Sequence, residues 1–139
     1  MNRQRLLKVI EDMTEVVENL ISCKSILEAD EKDEKVIFIE FGLKQIFVDF
    51  FITVESFTSM ILKEIKEFKI GIDMKTAISI LKSKAIIDEN MYMFLNEARL
   101  LRNRISHRYK EPSRSELLEF INKNINKFGE VIELSKSFL

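Results

Sequence analysis

With 139 residues, 46% of them hydrophobic and 32% charged, the chain is too apolar for disorder and long enough for one buried core. Three glycines and a single proline leave little material for hairpins and short strands, so the composition points to an all-α protein. Cys23 stands alone, which excludes an intrachain disulfide and suits a cytoplasmic location.

The spacing predicts a first helix from Arg3 to Leu27, with Leu6, Ile10, Met13, Val17, Leu20 and Ile21 on its apolar face. Its acids Glu11, Asp12, Glu15 and Glu18 read as a solvated face, and three of them interrupt what could otherwise resemble a secretion signal. Glu28 to Lys35 is acidic and reads as a solvated turn. A second helix is expected from Glu34 to Phe68, roughly 50 Å long at ~1.5 Å per residue. Its main stripe is Val36, Ile39, Leu43, Ile46, Phe50, Val54, Phe57, Ile61 and Ile65. Phe38, Phe41, Val48, Phe51 and Ile52 widen the apolar arc beyond what one neighbouring helix covers. Glu40, Lys44, Asp49 and Glu55 punctuate this segment, so it reads as a buried helix and not as a membrane span.

Gly71 suits the C-terminal cap of that helix, and Asp73 can cap a short helix running to about Lys84. Asp88 can cap a fourth helix, with Ile87 and Tyr92 as a hydrophobic staple and Pro112 as its stop. Ser113 and Glu116 form a capping box for a fifth helix with the stripe Leu117, Ile121, Ile125, Phe128 and Ile132. The expected architecture is a single domain over residues 1–139, an antiparallel bundle of four long helices plus a short one.

The fourth helix carries the chemistry. From Arg99 to Arg114 there are six basic residues (Arg99, Arg102, Arg104, Arg108, Lys110, Arg114) and one acid, Glu111, a local charge of +5 in a chain of net charge −1. His107, the only histidine, lies among them, and histidine is the side chain suited to proton transfer near neutral pH. One face of the helix is a core stripe of Met91, Phe94, Leu95, Ala98, Leu101 and Ile105, with Arg102 and Tyr109 nearly eclipsed along its edge. The other face, Met93, Asn96, Leu100, Asn103 and His107, suits a partner surface or polar groove. Arg102 and His107, five residues apart, should diverge by roughly 140° and stand roughly 10 Å apart at Cβ, so one chain makes a poor site and a second would complete it. Basic residues in the last turn of a helix are also what the helix dipole favours, and residues alone leave both readings open.

One histidine and one cysteine cannot build a zinc site of the usual kind, and no Gly-rich phosphate loop or Gly-x-Ser-x-Gly elbow occurs. No metal or cofactor is expected. The six methionines read as core filler and Cys23 as a small buried apolar group.

Arg-x4-His-x-Tyr, formed by Arg102, His107 and Tyr109 with the polar Asn103 after the arginine, resembles the signature of HEPN domains, and more narrowly of HepT-like toxins. Family members more often have an aliphatic residue before the histidine, where this chain has Ser106. The resemblance implies a metal-independent endoribonuclease toxin of a type VII-like toxin–antitoxin system, working as a homodimer with two motifs facing one cleft. It implies a minimal nucleotidyltransferase antitoxin that silences the toxin by attaching nucleotide to Tyr109. In that frame His107 is the general base, Arg102 stabilises phosphate charge and Asn103 orients the histidine or substrate. Arg104, Arg108, Lys110 and Arg114 are candidates for binding the RNA backbone. The alternatives are a non-catalytic HEPN module that presents nucleotide or substrate to a nucleotidyltransferase, and a plain helical scaffold dimer.

Overall fold

The computed structural model describes residues 1–29 and 32–139. Among the described residues six helices follow in chain order: α1 (Arg3–Ala29), α2 (Val36–Glu64), α3 (Met74–Ser83), α4 (Glu89–Ser106), α5 (Arg114–Lys123) and α6 (Ile125–Lys136). Of the turn expected over Glu28–Lys35, Asp30 and Glu31 lie outside the described residues.

α1 and α2 form an antiparallel hairpin, with the amino group of Met1 2.9 Å from Glu64 and the Cys23 thiol donating to the Ile39 carbonyl. Leu6, Ile10, Met13, Val17 and Leu20 are buried as the spacing predicts, whereas Ile21 is 40% exposed and Leu27 takes its place in the core. Cys23 is half-buried, and that burial pushes its thiol pKa up. α4 packs against α2, with Arg102 on Glu55, and α6 runs antiparallel to α1, where the Ser135 hydroxyl meets the Met13 sulfur at 3.7 Å.

α2 is the centre of the bundle because its apolar arc faces both α1 and the α4–α6 side. Phe47, Phe50 and Phe51 are all fully buried. Phe50 lies 4.9 Å from Phe128 and 6.4 Å from Phe94 between ring centroids, and Phe94 stacks on Phe120 at 5.8 Å. This aromatic cluster joins α2, α4, α5 and α6 in one core, with geometries that favour edge and offset contacts. The outer side of α2 is not covered: Phe38, Phe41 and Ile52 are 70%, 51% and 51% exposed.

The caps at Asp73, Asp88 and Ser113 form as expected, each side chain accepting from a backbone N–H three residues on. Two boundaries in particular differ. α2 ends at Glu64, not Phe68, and its left-handed residue is Lys66 (φ 61°), not Gly71. The Glu67 N–H then bonds the Leu62 carbonyl at 2.8 Å and the Lys66 N–H the Lys63 carbonyl at 3.2 Å, a Schellman ending. α3 ends the same way around Ala85 (φ 57°), with Ile86 N–H on Leu81 O and Ala85 N–H on Lys82 O, both at 3.0 Å. Gly71, at φ 82°, serves instead in the following turn. Finally, the expected fifth helix is two. Asn124 turns its side-chain amide onto the Phe120 carbonyl at 2.9 Å, its backbone leaves helical geometry (φ −111°, ψ 19°), and α6 starts anew.

The left-handed Ala85 carries a steric cost that glycine lacks, partly offset by glycine's greater freedom when unfolded. Ala85→Gly should therefore stabilise the protein by ~0.5–1 kcal/mol, read as a raised urea midpoint at unchanged slope.

Candidate active site

α4 stops three residues earlier than a motif carried wholly on the helix would require. Ser106 is its last residue and its hydroxyl folds back onto the Arg102 carbonyl at 3.2 Å. His107 is the C-cap, with extended backbone (φ −106°, ψ 108°). Arg102 and Tyr109 are consequently not eclipsed on one helix. Arg102 and Asn103 lie near the end of α4, while His107, Arg108 and Tyr109 belong to the strap that links α4 to α5.

That strap is tied down on both sides. The Lys110 N–H donates to the His107 carbonyl at 3.0 Å, and Arg104 Nε donates to the Lys110 carbonyl at 3.0 Å. Farther on, Glu111 accepts from the buried Lys44 ammonium at 2.6 Å, which also lies 3.5 Å from Glu40. Arg114 Nε bonds the other oxygen of Glu40 at 2.7 Å, and Pro112 between them is buried. Lys44 and Glu40 on α2 thus moor the strap to the centre of the bundle. Between these anchors the side chains of His107, Arg108, Tyr109 and Lys110 face solvent, Tyr109 at 98% exposure.

Arg102 is held differently. Its guanidinium lies 4.8 Å from the Phe51 ring centroid. Nη1 donates to Glu55 Oε1 at 2.7 Å and Nε to Asn103 Oδ1 at 3.2 Å. Asn103 therefore bonds the arginine beside it, and no hydrogen bond to the His107 ring exists among the described residues.

The basic density seen in the sequence is largely answered within the fold. Arg104 pairs with Glu116 at 2.7 Å, Arg114 with Glu40, Arg102 with Glu55, and Arg99 bonds Asn96. Among the described residues Arg108 and Lys110 have no acidic partner. Sequence spacing could not reveal Glu40 and Glu55, which reach this site from α2.

Glu116 is the most perturbed carboxyl here, lowered from 4.5 to about 2 chiefly by the hydrogen bond from Arg104 and then by the Ser113 N–H. A carboxyl lowered in the folded state stabilises fully above its unfolded value of 4.5 and ceases to do so as pH falls toward about 2. Acidification across that window should loosen the first turn of α5, followed through the Ser113 and Glu116 amide signals. Glu116→Gln should remove that part of the pH dependence.

Met93 and Leu100, on the same side of α4 as Asn103, are 50% and 49% exposed. A groove between α4 and α5 is lined by Leu100, Arg104, Glu116 and Phe120 but contains neither Arg102 nor His107. Among the described residues no three acidic, histidine or cysteine side chains gather where they could hold a metal ion, and no helix is long and apolar enough to cross a membrane.

A family model described as Ribonuclease HepT-like matches residues 43–134, and the chain belongs to that family. Membership gives it a ribonuclease-type function with RNA as substrate. Neither a curated protein nor a solved structure gives a match.

Proposed function

We propose that the protein is a metal-independent endoribonuclease toxin that works as a homodimer. What supports this reading is a ribonuclease family match in a chain that carries Arg102 and Asn103 near the end of α4 and His107 at its C-cap. His107 acts as general base on a ribose 2′-hydroxyl. The resulting oxygen attacks the adjacent phosphorus, the bond to the 5′-oxygen of the next nucleotide breaks as that oxygen takes a proton from water, and a cyclic phosphate end and a free 5′-hydroxyl remain. Such proton transfer contributes ~10²–10⁴-fold to rate. Arg102 stabilises the charge that builds on the phosphate oxygens. The requirement for a 2′-hydroxyl restricts the substrate to RNA. Arg108 and Lys110, which project from the strap, are the cations best placed to bind backbone phosphates, whereas Arg104 and Arg114 would first have to leave Glu116 and Glu40.

Support for two copies comes from the surface around the site. The groove between α4 and α5 does not include His107, and the exposed Phe41 and Ile52 of α2 and Met93 and Leu100 of α4 leave uncovered apolar area on the same molecule. A second chain covering that area would bring a second Arg102 and His107 to the same cleft. Light scattering should give a dimer at micromolar concentration, and a stable monomer would remove the shared-cleft model.

Regulation through Tyr109 belongs to the same reading. Its hydroxyl is accessible to another enzyme, and a nucleotide attached there would put phosphate charge beside the motif cations, competing with RNA. The partner in this reading is a minimal nucleotidyltransferase antitoxin. The decisive experiment incubates the purified protein with RNA and a chelator: cleavage that yields cyclic phosphate ends is expected, and cleavage that appears only with added magnesium would overturn the mechanism.

A further inference from the structure

We infer that Glu55 of α2 is a positioning residue for Arg102: it fixes the guanidinium against Phe51 and leaves Nη2, the one nitrogen with every N–H uncommitted, to meet a phosphate oxygen. The inference rests on the ribonuclease reading of Arg102 given above.

An arginine offers phosphate a planar fork of N–H groups, and a bidentate grip uses two nitrogens of one edge. Here each edge has one nitrogen already committed. Nη1 donates to Glu55 Oε1 at 2.7 Å, and Nε donates to Asn103 Oδ1 at 3.2 Å. Nη2 makes no hydrogen bond among the described residues. The ring of Phe51, itself fully buried, lies 4.8 Å beneath the guanidinium carbon and forms a rigid floor. Three contacts from two helices therefore define where the plane lies and leave Nη2 the nitrogen with no partner among the described residues.

A purely structural role explains this arrangement poorly. The pair is only half-buried, with side-chain exposures of 25% for Arg102 and 36% for Glu55, and ion pairs so exposed contribute little to folding. For binding alone, a carboxylate next to a phosphate-binding arginine is a disadvantage, because it repels the phosphate the arginine attracts. Orientation is the remaining benefit. Arginine has many rotamers, and a donor that is already aimed need not be ordered as charge develops in the transition state.

The test compares wild type with Glu55→Ala, Glu55→Gln and Arg102→Ala in single-turnover and steady-state cleavage of an RNA oligonucleotide. Thermal unfolding and the Arg102 Nε–Hε NMR signal are recorded for each. Loss of the carboxylate should lower kcat by ~10²-fold in Glu55→Ala, the scale set by misplacing a catalytic group, while KM holds or falls. Glu55→Gln keeps an oxygen that can accept from Nη1 and should recover part of kcat. The Arg102 Nε–Hε signal should be resolved in wild type and merge with those of mobile arginines in Glu55→Ala. Wild-type kcat in a folded Glu55→Ala protein would overturn the inference, as would a loss confined to KM or an unchanged Arg102 signal. Should the wild type itself fail to cleave, the ribonuclease reading of Arg102 falls, and this inference with it. If the wild type cleaves and Arg102→Ala does not, that reading stands and the Glu55 variants decide the matter.

Discussion

His107→Ala is expected to leave the protein folded and to lower RNA cleavage by ~10²–10⁴-fold, the contribution of a positioned general base. The histidine is exposed, its backbone geometry is open to alanine, and its ring bonds nothing among the described residues. Its truncation should therefore change stability within about ±0.5 kcal/mol, as at other surface positions. Arg102→Ala is expected to lose ~10²–10³-fold, the scale of one charge-stabilising donor. It should also cost some stability, because the side chain covers Phe51. The two variants thus separate chemistry from folding. Thermal unfolding and cleavage measured on the same samples check this. A severe loss of stability in His107→Ala, or cleavage at the wild-type rate, would remove His107 from the mechanism.

The helices and most of their starts were legible in the sequence because they depend on local chemistry. Asp73, Asp88 and Ser113 each bond an N–H three residues away, and such a signal lies within one turn of chain. The ends were harder to read. Lys66 and Ala85 occupy left-handed positions that sequence rules reserve for glycine, and Asn124 breaks a helix without glycine or proline. Pro112 drew the expected end of α4 too far, since proline restrains only the residue before it and the chain had already left the helix at His107. The widened apolar arc of α2 was visible, but its division was not: Phe51 went to the core while Phe38, Phe41 and Ile52 stayed outside. Periodicity gives a side chain's direction around its helix, and the neighbours that decide its burial come from elsewhere in the chain. The same limit hid Glu55, Glu40 and Lys44. Their partners Arg102, Arg114 and Glu111 are 47, 74 and 67 residues away, and the basic segment therefore seemed more strongly charged than the folded site is.

Phe50→Ala is expected to be the most costly substitution for stability, at ~3–5 kcal/mol out of the ~5–15 kcal/mol typical of a domain. The side chain has no exposure, and its ring neighbours those of Phe47 one turn earlier on α2, Phe94 on α4 and Phe128 on α6. Removal leaves a cavity between helices that cannot all close on it. The urea midpoint should drop with little change in slope, and a loss below about 1 kcal/mol would mean that the aromatic cluster is not the keystone of this packing. The contrast with Phe41 sharpens the result. Phe41 is nine residues earlier on the same helix but 51% exposed, so Phe41→Ala should leave the unfolding of the single chain nearly unchanged. If its ring is instead covered by a second copy, Phe41→Ala should shift the monomer–dimer equilibrium toward monomer and lower cleavage at low protein concentration. Raising the concentration should then restore the rate. Phe50→Ala can show no such recovery, because its defect lies within each chain.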